Sequence, residues 1–85
     1  MKIFGYREDD CVSDYPLHLR ESTIECTKLE LKKVIRFLTY IENDLENYDL
    51  SKDEDCHYQY RDWDPSWNEQ MPDFIISMIS DDKHL

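Results

Sequence analysis

Cys56 and His57 are the one adjacent thiol and imidazole in the chain. A nucleophile and its base must face each other to share a proton. Neighbours on a strand point to opposite faces, so this pair cannot do so. The spacing Asp49, Ser51, Asp53, Asp55 resembles that of a calcium-binding loop. Such a loop needs glycine at its sixth position and an acid at its twelfth. Glu54 and Tyr60 stand there instead. His18, His57 and His84 are scattered, without metal-ligand spacing. There is no Ser/His/Asp arrangement, glycine-rich phosphate loop or H-E-x-x-H. The expectation is a protein that is not an enzyme and takes no metal or cofactor.

The chemistry that remains is recognition. The stretch "YRDWDPSWNEQMPDF" (60–74) sets Trp63 and Trp67 four residues apart among Asp62, Asp64, Glu69 and Asp73. One or both rings can close the core. Aromatic rings ringed by charge are also the anatomy of an interface hot spot. The carboxylates would steer a basic partner towards them.

The charge distribution points the same way. The 85 residues carry a net charge of −10. Phosphate backbones and anionic membranes attract Lys and Arg, so nucleic acid and membrane are both disfavoured as partners. A basic protein is favoured, or solubility alone. The acid is concentrated. Residues 42–64 hold Glu42, Asp44, Glu46, Asp49, Asp53, Glu54, Asp55, Asp62 and Asp64 against Lys52 and Arg61, a net −7. Residues 22–41 hold Lys28, Lys32, Lys33 and Arg36 against Glu25 and Glu30, a net +2.

The length fits one domain, 1–85, that buries only about 60–65% of its unfolded surface. The apolar fraction is 40% with one glycine, which suits a folded globule rather than a linker. The longest apolar run, "FIISMIS", is too short to span a membrane. "MKIFGYREDD" turns acidic by residue 8 and does not read as a signal peptide. Cys11, Cys26 and Cys56 are odd in number and lack paired spacing, so reduced thiols and a cytoplasmic location are expected.

These residues need elements to position them. "KIFGYR" (2–7) reads as a strand. "EDDCVSDYP" (8–16) reads as a polar turn. "LHLRESTIEC" (17–26) is strand-like, but its apolar parity switches between Leu19 and Ile24, which implies a bulge near Arg20 to Thr23. Thr27 and Glu30 form a capping-box pattern. Leu31, Val34, Ile35, Leu38, Ile41 and Leu45 follow at helical spacing, with Phe37 and Tyr48 widening the stripe. That predicts a helix over 28–47 whose stripe packs the core. "YDLSKDED" (48–55) reads as a loop, and "CHYQYRDW" (56–63) as a strand. "DPSWNEQMP" is a loop. "DFIISMIS" (73–80) is apolar on both parities and reads as a strand buried on both faces, or a central strand. "DDKHL" (81–85) reads as a disordered tail. The expected fold is α+β in the order ββαββ. It would be a two-layer sandwich, a mostly antiparallel four-stranded sheet with one amphipathic helix on one face.

Two local rules are broken. A helix prefers acids in its first turn and bases in its last. Here Lys28, Lys32, Lys33 and Arg36 crowd the first half, and Glu42, Asp44 and Glu46 the second. Such violations either mark functional surface or reflect exposed charges that salt screens and that drift freely. Glu42 also falls inside the apolar arc, between Leu31 and Ile35 at 100° per residue, and needs an edge position or a partner. Arg7, His57 and Arg61 are the candidates.

The opening "MKIFGYRE", the helix "LELKKVIRFL", and "HYQYRDWDPSW" followed by "PDFII" resemble the immunity protein 32 family. These are small bacterial proteins associated with polymorphic toxin systems. The resemblance covers most of the chain. It implies a helix after the second strand, and binding and neutralisation of a cognate toxin without catalysis. The three-cysteine spacing and the acidic 49–55 loop lie outside the features that carry it.

Three functions compete. An immunity or inhibitor protein would cover a basic toxin, such as a nuclease, in a salt-sensitive 1:1 complex. A self-associating structural or regulatory module would form a homodimer through a sheet edge or its tyrosine-bearing face. A nucleic-acid mimic would compete with DNA for a DNA-binding protein. For the first, the partner-binding candidates are Trp63, Trp67, Asp62, Asp64, Glu46, Asp49, Asp53 and Asp55.

Overall fold

The computed structural model describes residues 1–7, 18–47 and 56–80. The loop expected at 48–55, the turn at 8–16 and the tail at 81–85 lie wholly or mostly outside the described residues. Strand β1 spans Lys2–Arg7 and β2 Leu19–Glu25. Helix α1 spans Lys28–Asp44 and closes in a 3₁₀ turn, Leu45–Asn47. Strand β3, Cys56–Gln59, runs into a single helical turn, α2, Tyr60–Trp63. Strand β4 is Ile75–Met78. The fold is α+β.

The capping box forms as the sequence requires. The Glu30 N–H donates to Thr27 Oγ1 at 3.2 Å, and the Thr27 N–H donates to Glu30 Oε1 at 2.9 Å. The Met1 ammonium adds an ion pair to Glu30 Oε2. That ammonium, with the Thr27 backbone donor, holds the Glu30 carboxyl down at about 2. Strands β1 and β2 pair antiparallel, with Tyr6 opposite Glu21 and Arg7 opposite Leu19. Arg20 is therefore skipped by the register, a bulge within the segment where the apolar parity switches.

The four-stranded sheet is not what forms. Strands β1 and β2 make one two-stranded sheet, and β3 and β4 another. The two ribbons are tied to different ends of α1. Met1 anchors the first at Glu30, and the Tyr58 hydroxyl anchors the second by donating to Asp44 Oδ2 at 2.7 Å. Fourteen residues of helix separate those anchors by about 21 Å. The strand expected over 56–63 also stops short. Tyr60 turns into α2, so the chain has a second helix where the sheet was expected to continue.

The core is small and aromatic. Phe37 (0% exposed), Ile41 (4%) and Tyr60 (1%) form its centre. Phe37 meets Tyr60 and Phe74 edge-on, with ring centroids 5.3 and 5.4 Å away. Tyr60 stacks on Phe74 at 4.9 Å. Met1, Leu45, Tyr58, Trp63, Trp67 and Ile76 pack around them.

The helical stripe divides. Val34, Phe37 and Ile41 are buried. Leu31, Ile35 and Leu38, expected in the core, are 47%, 53% and 44% exposed. They sit about 100° round the helix from the buried row, and no described layer covers that flank. Strand β4 is corrected in the same sense. Ile75 is exposed while Ile76 and Met78 are half-buried, so the strand has one inner face, not two.

This division predicts unequal costs. Phe37→Ala should lose about 3–5 kcal/mol, enough to unfold a domain of this size. Leu38→Ala, one residue on, should lose less than about 1 kcal/mol in dilute protein. Urea denaturation followed by circular dichroism checks both.

Candidate functional site

The 60–74 stretch is organised by two of its own carboxylates. Tyr60 is buried, so its hydroxyl must find an acceptor. It donates to Asp64 Oδ2 at 2.6 Å. Asp64 is itself only 5% exposed, and a buried charge needs several donors. Its other oxygen accepts from the Ser66 N–H at 2.9 Å and the Ser66 hydroxyl at 2.7 Å, an Asx turn across Pro65. Lys33 on α1 reaches the same pair, donating to Ser66 Oγ at 2.9 Å and lying 3.8 Å from Asp64 Oδ2. Burial alone would raise the Asp64 carboxyl. The Tyr60 and Ser66 donors and the Lys33 ammonium outweigh it, and the net shift is downward. Burial and the Asp64 carboxylate together push the Tyr60 phenol well above its ordinary range.

Asp73 does a second job. Its Oδ1 accepts from the Arg61 N–H and the Phe74 N–H, each at 2.9 Å. Its Oδ2 accepts from the Gln59 amide at 3.2 Å and lies 3.7 Å from Arg61 Nε. The Tyr60 N–H donates to the Phe74 carbonyl at 2.9 Å. Asp73 thus fixes the point where β3 becomes α2. That turn sets Asp62 outward and Trp63 half-buried against Phe37 and Tyr60, on the side of α1 that carries Tyr40.

The result is a cleft of about 300 Å³ lined by Phe37, Tyr40, His57, Tyr58, Gln59, Asp62 and Trp63. Phe37 is its buried base, 5.5 Å from Trp63 between ring centroids. Tyr40 and Tyr58 meet edge-on at 6.1 Å on one wall. Asp62 stands at the rim with its side chain 71% exposed, near Arg61 Nε at 4.0 Å. Burial, then the Asp44 carboxylate, then the Cys56 thiol at 3.6 Å keep the Tyr58 phenol protonated far above its usual range. Aromatic faces beside an exposed carboxylate attract a cation. The volume sits at the low end for ligand sites and suits one side chain rather than a large cofactor.

The partner-binding candidates separate accordingly. Trp63 and Asp62 line the cleft together. Trp67 is half-buried against the core, with its indole N–H donating to the Pro72 carbonyl at 3.0 Å. Asp64 is buried and engaged inside the chain, so it presents no surface. Glu46 is exposed on the 3₁₀ turn. Asp49, Asp53 and Asp55 lie outside the described residues, as does the calcium-like spacing. Tyr40, Tyr58 and Gln59 are lining residues that the sequence reading did not single out. Phe37 and Tyr40, at i and i+3 on one helix, were the available signal. Glu42 is exposed, and Arg61, a candidate partner for it, turns to Asp73 and Asp62 instead.

Among the described residues no group of His, Cys, Asp and Glu could hold a metal ion. No described helix is long and apolar enough to cross a membrane. Cys26 and Cys56 are half-buried and not disulfide-linked. Comparison with protein-family models, with curated proteins and with solved structures finds no match.

The Asp64 network predicts a pH effect. Its pKa is lower folded than unfolded, so its contribution is full above about pH 4 and drains away as pH falls further. Asp64→Asn should lose about 1–3 kcal/mol at neutral pH. The variant should also show a shallower loss of stability on acidification. Urea melts at neutral pH and at about pH 3 provide the comparison.

Proposed function

We propose that this chain is a non-catalytic protein-binding module of the immunity or inhibitor kind. It neutralises a basic protein toxin by taking a Lys or Arg side chain into the cleft between Tyr40, Tyr58 and Trp63. Asp62 meets the charge at the rim. The observation that carries this reading is the juxtaposition of three aromatic side chains with an exposed carboxylate in one cleft. Electrostatics support it further, since the chain is −10 overall and would draw a basic partner from a distance. The resemblance to the immunity protein 32 family supplies the toxin as the class of partner. Glu46 on the 3₁₀ turn extends the acidic surface. Asp49, Asp53 and Asp55 belong to the same proposal through their position in the acidic 42–64 segment.

The test is affinity capture from native lysate at low and high salt, followed by titration of the captured protein against variants. The expected result is one basic protein bound 1:1 and released by salt. Trp63→Ala should abolish capture, and Asp62→Ala should weaken binding about tenfold. If both variants bind the captured protein as the parent does, the cleft is not the site.

A further inference from the structure

The exposed flank of α1 has a pattern of its own. Lys28, Leu31, Ile35, Leu38 and Glu42 follow spacings of three and four, and all five are exposed. That is the a/d spacing of a coiled-coil seam. Ile35, Leu38, Thr39 and Glu42 already line a shallow groove there. The charges along the seam are ordered. Lys28 and Lys32 occupy its first half and Glu42 and Glu46 its end, while Arg36 lies about 100° round the helix from Ile35. Lys33 and Asp44, the other two charges that oppose the macrodipole, are used inside the chain by Ser66 and Asp64 and by Tyr58. The five that remain are exposed and make no ion pair among the described residues.

A second copy run antiparallel satisfies four of them, all but Arg36. Set the two-fold axis between Ile35 and Leu38. Ile35 then packs on Leu38 of the other copy, Lys32 stands beside its Glu42, and Lys28 beside its Glu46. A parallel pairing would set like charge beside like along the whole seam. An acidic half meeting a basic half twice is the self-complementarity that a two-fold interface demands.

We infer that the Leu31–Ile35–Leu38 flank of α1 is a homodimer interface in which two copies pair antiparallel. The seam is short and falls at the low end of interface sizes, so the dimer dissociates in the micromolar range. This interface is distinct from the cleft. Ile35 and Tyr40 point about 140° apart around the helix, so one surface is open when the other is filled.

Sedimentation equilibrium of the full chain across the micromolar range tests it. Concentration-dependent dimerisation is expected in the parent. Ile35→Asp sets two carboxylates at the axis and should leave a monomer with an unchanged circular dichroism spectrum. Lys32→Glu and Glu42→Lys should each weaken association about tenfold, and the double variant should restore it. A parent that stays monomeric at every concentration overturns the inference. So does a dimer that Ile35→Asp leaves intact, or charge reversals whose combination brings no recovery. Loss of dimerisation by Ile35→Asp with capture of a basic protein retained separates this seam from the cleft.

Discussion

The Tyr60 hydroxyl is the constraint from which the C-terminal half of the protein follows. The ring is needed in the core, where it stacks on Phe74 and meets Phe37. The hydroxyl comes with it, and a buried hydroxyl without an acceptor is costly. Asp64 is the acceptor, one helical turn on. A buried carboxylate in turn needs donors, and Ser66 and Lys33 provide them. One apolar demand thus recruits a hydroxyl, a carboxylate, an Asx turn and a helix lysine. Each step is set by the polar group that the step before it buried.

That chain of demands explains the mixture of rings and acids in residues 60–74. Asp64 and Asp73 are construction. The first accepts from Tyr60 and Ser66, the second from the backbone on both sides of the β3–α2 junction. Trp67 is fixed by its bond to Pro72 and by the core. Asp62 and Trp63 remain as the pair directed into the cleft. A stretch that reads as one acidic-aromatic surface is two sets in succession. Asp64, Trp67 and Asp73 hold the fold, and Asp62 and Trp63, just before them, line the cleft.

The sequence was legible where a local rule decides the structure. The capping box of Thr27 and Glu30 depends on residues three apart, and it forms. The bulge at Arg20 depends on parity within one strand, and the register carries it. What could not be read was which surface covers which. Periodicity reports how wide an apolar arc is, not whether a second layer reaches all of it. So Leu31, Ile35 and Leu38 look like core and are not. The alternation of Tyr58 and Tyr60 looks like strand. The Tyr60 N–H still bonds the Phe74 carbonyl in register, but the Arg61 N–H donates to Asp73, twelve residues on, and the Asp64 N–H bonds back to the Tyr60 carbonyl, so the strand ends at Gln59. The partner residues Asp49, Asp53 and Asp55 rest on sequence alone.

Helix α1 shows how one element can carry several obligations. Its inner row, Val34, Phe37 and Ile41, is the core. Tyr40 on one flank walls the cleft, and Ile35 on the other flank lines the groove. The charge order runs against its macrodipole, at roughly 0.3–1 kcal/mol for each exposed charge near an end. Lys33 and Asp44 recover that cost through Ser66, Asp64 and Tyr58. Lys28, Lys32, Glu42 and Glu46 make no ion pair among the described residues of one copy. The inferred antiparallel pairing would recover their cost, because each helix would then lie in the field of the other's opposite half. The inferred dimer would also turn both clefts away from the seam. A ligand with two basic sites would therefore meet two receptors on one scaffold, and the second contact would form at high effective concentration.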